Sequence, residues 1–73
     1  MIILYSTGCP KCEILKGRLE KNNIKFHISD DVDYLIENGF QTAPVLQIDD
    51  QFYEYADAMR KLRVYETGKE EFE

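Results

Sequence analysis

The feature that most constrains the fold of this chain is a pair of cysteines with a proline directly after the first: Cys9, Pro10 and Cys12. Proline fits the first position of a helix, because its fixed φ suits the helix and its missing N–H would have no partner there. We therefore expect a helix to begin at Pro10, with Cys9 as its N-cap. The apolar run MIILY before it is typical of a buried strand. The chain is thus predicted to open with a strand, a tight turn and a helix that holds both cysteines.

The rest of the sequence predicts a small α/β domain. After the first helix, which should end near residues 22–23, we expect a strand at 24–28, a helix within 29–39, a strand from 45, a hairpin partner at 52–55 and a last helix at 56–65. This order, β-α-β-α-β-β-α, implies a parallel pair from the first unit and antiparallel strands from the closing hairpin. A mixed four-stranded sheet flanked by three helices follows, in one domain of residues 1–73 with a frayed tail from about residue 66.

Apolar spacing also predicts which helix positions face the core. The expected core-facing positions of the first helix are Cys12, Leu15 and Leu19. The second helix has an apolar set at Val32, Leu35 and Ile36, and the last has Ala56, Met59, Leu62 and Arg63 at helical spacing.

The charge of the chain is −5 and is unevenly distributed. Residues 1–30 have five Lys and Arg against three Asp and Glu, a balance of +2, and residues 31–73 have four against eleven, a balance of −7. This balance argues against a nucleic-acid-binding protein, which needs clustered basic side chains.

The apolar amino-terminal run is far shorter than the ~20 residues that cross a bilayer. We expect a cytoplasmic monomer that binds neither nucleic acid nor membrane.

The two cysteines are expected to differ in reactivity. A sulfur at a helix N-cap lies where unpaired N–H groups and the positive end of the helix dipole favour the thiolate. The positive charge of Lys11 also favours the thiolate of Cys9. Cys12 lies on the core-facing stripe and should be shielded. We therefore expect Cys9 to attack a substrate disulfide and Cys12 to resolve the mixed disulfide that forms.

Metal binding is the main alternative use of this cysteine pair. One chain cannot complete a four-ligand zinc site, because it has no other cysteine and His27 is its single histidine. Two chains could share a metal ion or an iron–sulfur cluster through two cysteines each, and one pair could bind Cu(I). A metal or cluster carrier formed across a dimer stays open as the second hypothesis.

The chain resembles the glutaredoxins and the related NrdH-type redoxins. The resemblance consists of a strand, Cys-Pro-Lys-Cys at a helix start, and Thr42, Ala43 and Pro44 just before a later strand, and it extends to about Lys61. It implies a minimal thioredoxin fold and a dithiol-disulfide oxidoreductase acting on protein or glutathione mixed disulfides. Ribonucleotide reductase is one expected electron acceptor. The resemblance also implies that the protein binds no cofactor and takes electrons from glutathione or thioredoxin reductase.

The resemblance further implies a substrate platform. In this family the proline of the motif is cis and the preceding residue pairs with the substrate backbone, which assigns these roles to Pro44 and Ala43. Lys11, Thr42 and Asp57 complete the expected substrate-binding set beside the catalytic Cys9 and Cys12.

One departure from the family concerns glutathione. Glutaredoxins commonly have Gly-Gly-x-Asp after the hairpin, whereas this chain has Glu54, Tyr55, Ala56 and Asp57. Asp57 is kept, and it could also cap the last helix. Glu54 and Tyr55 replace the two glycines, and they add bulk and negative charge where a glutathione carboxylate would approach. The choice between glutathione and thioredoxin reductase therefore stays open.

Overall fold

A computed structural model describes residues 1–41 and 43–68 of the chain. Its elements are β1 (Ile2–Tyr5), α1 (Pro10–Lys21), β2 (His27–Ser29), α2 (Val32–Glu37), β3 (Val45–Ile48), β4 (Gln51–Glu54) and α3 (Tyr55–Glu66). The predicted order β-α-β-α-β-β-α is confirmed. Within the described ranges, no helix is both long enough and apolar enough to cross a membrane.

The four strands form one mixed sheet in the order β2-β1-β3-β4. β1 pairs with β2 in parallel, with Ile3 opposite His27. It pairs with β3 in the antiparallel direction, with Leu4 opposite Leu46. β3 and β4 form the predicted antiparallel hairpin. The mixed four-stranded sheet with three helices is therefore confirmed.

The sheet has two unequal faces, because successive side chains of a strand point to opposite sides. The first cluster, which α1 and α3 cover, contains Ile2, Leu4, Leu15, Leu19, Leu46, Ile48, Ala58 and Leu62. The second cluster contains Tyr5, Leu35 and Val45, with the half-buried rings of Tyr34, Phe40 and Phe52 against it. The short α2 covers this second face. The cysteine-bearing helix thus packs on the more extensive apolar face.

The ends of the first two helices follow from single residues. Asn23, at φ 58°, turns the chain after α1, and the N–H groups of Asn23 and Ile24 donate to the carbonyls of Glu20 and Leu19, both at 3.1 Å. Gly39, at φ 88°, ends the turn after α2 in the same way. A positive φ at this position lets the chain return to the last carbonyls of the helix. Both stops lie where the sequence predicts them.

The second strand differs from its prediction. It spans His27–Ser29 instead of residues 24–28, because Ile24 and Phe26 pack against the first cluster before the chain reaches the edge of β1. Ile28 is 54% exposed on this edge strand.

Several of the positions at helical spacing in α2 and α3 lie at the surface. In α2 only Leu35 is buried, whereas Val32 and Ile36 are 39% and 59% exposed, because a six-residue helix presents little more than one residue to the sheet. In α3 the buried residues are Ala58 and Leu62. Ala56 is exposed, since two positions correspond to about 200° around a helix and place it opposite Ala58.

The other two positions at helical spacing in α3 differ from each other. Met59 is half-buried and packs against the first cluster, whereas Arg63 is exposed. Glu66, expected in a frayed tail, is the last residue of α3 and accepts hydrogen bonds from Arg18 and Asn22. Thr67 is the C-cap of α3 and Gly68 follows it, with its N–H donating to the carbonyl of Tyr65. Residues 69–73 of the expected tail lie outside the described residues.

Candidate functional site

The candidate site lies where β1 passes into α1. The N–H of Ser6 donates to the carbonyl of Ser29 at 2.9 Å, which ties the loop to the end of the parallel strand pair. Gly8 adopts a φ of 81°, a value that favours glycine. Cys9 then caps α1, and its sulfur accepts the N–H of Cys12 at 3.3 Å. The predicted helix start at Pro10 and the predicted cap are confirmed.

The two sulfurs lie together at this helix end. The Sγ atoms of Cys9 and Cys12 are 2.7 Å apart, and both cysteines are free thiols. A disulfide bond is about 2.05 Å long, so closing the bond requires only a small approach of the two atoms. Cys9 is partly exposed and Cys12 is 0% exposed. One sulfur can meet a substrate while the other stays behind it, as the apolar spacing of α1 predicts.

The electrostatics of the pair favour a thiolate near neutral pH. Burial raises the pKa of the Cys12 thiol, but hydrogen bonds from Cys9 Sγ, from the N–H groups of Thr7 and Cys9 and from the Ser6 hydroxyl outweigh burial and lower this pKa to about 7. Because the sulfurs are in contact, the first proton to leave belongs to the pair, and the remaining proton stays between them.

Ser6 is a residue of this site that sequence reasoning missed. The segment 6–8 is read from sequence as a turn, and Ser6 has no motif of its own. Its hydroxyl oxygen accepts the N–H of Gly8 at 3.2 Å, and its side chain is one of the groups that lower the pKa of Cys12. A polar side chain three positions before the first cysteine is the only sequence signal for this contact.

The substrate platform expected at Ala43 and Pro44 lies beside the cysteines. The carbonyl oxygen of Ala43 is 3.9 Å from Cys9 Sγ. Ala43 is half-buried and Pro44 is buried. The peptide bond between them is cis, the geometry that the family resemblance implies. Thr42, the third member of this motif, lies outside the described residues.

Lys11 is exposed and lies close to α3. Its ammonium nitrogen is 5.4 Å from the centroid of the Tyr55 ring, within the range of a cation–π contact. Tyr55, expected at the end of the hairpin, is instead the first residue of α3 and packs against the first cluster. The contact joins the second residue of α1 to the start of α3.

Asp57 is separate from the cysteines in its contacts. It lies in the first turn of α3 and forms an ion pair with Arg60 at 3.3 Å. The expectation that it caps the helix is wrong, because α3 begins one residue earlier than predicted and its N-cap is Glu54. Asp57 lines an open cavity of about 460 Å³ with Phe52, Tyr53, Arg60, Lys61 and Val64. Neither cysteine lines this cavity.

Within residues 1–41 and 43–68, no group of three or more His, Cys, Asp or Glu side chains lies close enough together to hold a metal ion.

Comparisons with protein-family models, with curated proteins and with solved structures found no match to this chain. The geometry and chemistry of the site are therefore the grounds for assigning a function to this chain.

Proposed function

We propose that this protein is a thiol-disulfide oxidoreductase of the glutaredoxin or NrdH redoxin type, built on a minimal thioredoxin fold. The observation that supports this proposal most strongly is the pairing of a partly exposed Cys9 sulfur with a fully buried Cys12 sulfur 2.7 Å away. A structural disulfide or two inert core cysteines would not need one accessible sulfur at a helix N-terminus.

The reaction has two exchange steps. In the first, the Cys9 thiolate attacks one sulfur of a substrate disulfide, the substrate S–S bond breaks, and the other substrate sulfur leaves as a thiolate that takes up a proton. In the second, the Cys12 thiolate attacks Cys9 Sγ, the mixed disulfide breaks, and the second substrate sulfur leaves in the same way. The substrate gains two electrons and two protons, and the protein ends with a Cys9–Cys12 disulfide.

Residues around Cys9 suit the binding of a disulfide substrate. The Ala43 carbonyl, 3.9 Å from Cys9 Sγ, can align a substrate backbone so that its disulfide reaches the nucleophile. Lys11 is exposed beside the motif and supplies positive charge. By the family resemblance, Pro44, Thr42 and Asp57 complete the substrate-binding set.

Two electron sources fit the oxidised protein: glutathione and thioredoxin reductase. The half-buried Tyr55 and the exposed Glu54 occupy the positions of the glycine pair that binds glutathione in the family, which favours thioredoxin reductase. A reduced dithiol of this kind functions in the cytoplasm, as a monomer, with a disulfide-containing protein such as ribonucleotide reductase as its acceptor.

The first test is NADPH oxidation with the disulfide form of the protein. Parallel reactions contain either thioredoxin reductase or glutathione with glutathione reductase, and the Cys9→Ser variant is the control. We expect turnover in at least one reaction and none with Cys9→Ser. No turnover in either reaction, with protein that is purified as a metal-bound dimer, would overturn the proposal in favour of a metal carrier.

A further inference from the structure

A groove follows the outer edge of the sheet at β4. Among the strands of the described residues, β4 is the outermost on this side, in the order β2-β1-β3-β4. The open cavity of about 460 Å³ is lined by both Phe52 and Tyr53, although Phe52 packs in the second cluster and Tyr53 in the first. Successive side chains of a strand point to opposite faces, so a cavity that both line must lie along the edge of β4. We refer to it as the edge groove, and its other wall on α3 consists of Asp57, Arg60, Lys61 and Val64.

The main chain of β4 directs hydrogen-bonding groups toward the edge groove. Ile48 and Gln51 face each other across the two-residue turn of the hairpin, and a pair in this position exchanges hydrogen bonds. Hydrogen-bonded and non-hydrogen-bonded pairs alternate along an antiparallel ladder. Phe52, opposite Gln47, is therefore in a non-hydrogen-bonded pair, and its N–H and carbonyl point away from β3. Outward groups of this kind fit an extended chain that pairs with the edge strand.

The α3 wall of the edge groove is basic at the end of an acidic stretch. Residues 26–59 include eight Asp and Glu and no Lys or Arg. Arg60 and Lys61 follow directly, and both line the groove. The Lys61 ammonium is 5.4 Å from the centroid of the Tyr53 ring, and Arg60 pairs with Asp57 at 3.3 Å. Two cations against one carboxylate favour an occupant that has carboxylate groups of its own.

The two faces of β4 determine the side-chain pattern of such an occupant. Directly opposite residues of two paired strands lie on the same face of the sheet. The side chain opposite Tyr53 would therefore lie on the α3 side, near Lys61, where a carboxylate is favourable. The next side chain, opposite Phe52, would lie beside the Phe52 ring, where an apolar group is favourable.

We propose that the edge groove binds an extended acidic segment of a partner protein, in which acidic and apolar side chains alternate and which adds a strand to the sheet at β4. This site is separate from the thiol chemistry, since neither cysteine lines the groove. The proposal therefore does not depend on the function proposed above, and the test below involves no turnover.

The test follows the main chain of β4 by NMR while a short peptide with blocked ends, in which Glu and Val alternate, is added to the wild type. With the peptide at about ten times its Kd, hydrogen exchange at the Phe52 amide should slow about tenfold, because the bound peptide protects this N–H. The Tyr53 amide faces Leu46 in a hydrogen-bonded pair and should change much less. A peptide in which Lys replaces Glu should not bind. Equal binding of both peptides, or an unchanged Phe52 amide, would overturn the proposal.

Charge variants test the α3 wall by calorimetric titration of the same peptide. The double variant Arg60→Gln and Lys61→Gln should raise the Kd about fivefold at low salt, and added salt should reduce this difference. The matched control is Lys21→Gln with Arg63→Gln, which removes two exposed positive charges outside the groove and should change the Kd much less. A double variant at 60 and 61 that binds as tightly as the wild type would overturn the proposal.

A second copy of the chain is the other occupant that an edge strand can take. Sedimentation and hydrogen exchange of the wild type without peptide distinguish this case. We expect a monomer whose Phe52 amide exchanges at the same rate at every protein concentration. A dimer whose formation protects the Phe52 amide would overturn the peptide site in favour of pairing between two β4 strands.

Discussion

The two ends of α1 are held by different chemistry. At the amino-terminal end the N–H of Cys12 binds the sulfur of Cys9 at 3.3 Å, and the two sulfurs are in contact. At the carboxyl-terminal end Arg18 and Asn22 both bind the carboxylate of Glu66 in α3, at 3.1 and 2.7 Å for the Nε and Nδ2 atoms. The first end depends on atoms that would change their bonds and protons in the proposed thiol exchange, and the second does not.

This difference indicates how a very small domain can keep a reactive group exposed without losing its fold. The buried Leu15 and Leu19 and the Glu66 contacts hold α1 against the sheet and α3. The amino-terminal end is then available for chemistry, and its sulfurs can exchange partners while the helix remains in place. The following predictions test this division between the two ends, beginning with the largest effect.

Removing either sulfur at the amino-terminal end should have the largest effect on activity. Cys9→Ser should abolish disulfide reduction, because a serine hydroxyl is not ionised at neutral pH. Cys12→Ser should leave the first exchange step intact and accumulate a mixed disulfide with the substrate, which intact-mass spectrometry would detect. A Cys9→Ser protein that retains turnover would contradict the assignment of the nucleophile.

Truncating a core side chain near the carboxyl-terminal end of α1 should have the largest effect on stability. Leu19→Ala removes a fully buried side chain of the first cluster and should lower the free energy of unfolding by about 2–5 kcal/mol. Urea denaturation followed by circular dichroism would measure the change. Ile14→Ala, at a position 50% exposed on the same helix, is the matched control and should change stability by less than about 1 kcal/mol.

The reduced protein should become more stable as the pH rises from about 7 to about 9. Burial raises the pKa of Cys12, but the surrounding hydrogen bonds lower it overall from 9.0 to about 7. A pKa that is lower in the folded chain than in the unfolded chain stabilises the fold fully above the unfolded value, and this stabilisation is lost as the pH falls through about 7. Thermal unfolding of the reduced wild type and of Cys12→Ala should therefore diverge across this range. Parallel pH curves would contradict the prediction.

The ion pair at the carboxyl-terminal end should have the smallest effect. Hydrogen bonds from Arg18 and Asn22 hold the pKa of Glu66 below its ordinary value of 4.5. Their stabilisation is present above that value and lost as the pH falls further. Glu66→Gln should lower the thermal midpoint slightly at neutral pH and leave disulfide reduction unchanged. Added salt should reduce the difference from the wild type. A loss of exchange activity in Glu66→Gln would contradict the separation of the two ends.

Elements with strong local signals could be predicted closely from the sequence. Pro10 sets the first turn of α1, Asn23 and Gly39 set the turns after two helices, and the spacing of Cys12, Leu15 and Leu19 correctly places the second sulfur in the core. Each depends on the conformational preference or spacing of nearby residues. Such preferences act within one or two helical turns and can be read from the residues themselves.

Features that depend on distant contacts were predicted less well. The strand expected at 24–28 begins later because Ile24 and Phe26 pack against the first cluster. Asp57 does not cap α3, since the helix begins at Tyr55. The contact of Lys11 with the Tyr55 ring joins residues far apart in sequence, and no local pattern predicts such a pair.

The strand, turn and helix that present two cysteines at a helix start follow from the residues of that segment, because proline geometry and apolar spacing act locally. What surrounds the sulfurs follows from tertiary contacts. The Ala43 carbonyl reaches Cys9 across 34 residues because β3 pairs with β1. The loop before α1 lies at the end of the parallel strand pair because the N–H of Ser6 donates to the carbonyl of Ser29. Hydrogen bonds of this kind depend on where the chain brings distant atoms, and that placement comes from packing the whole sheet.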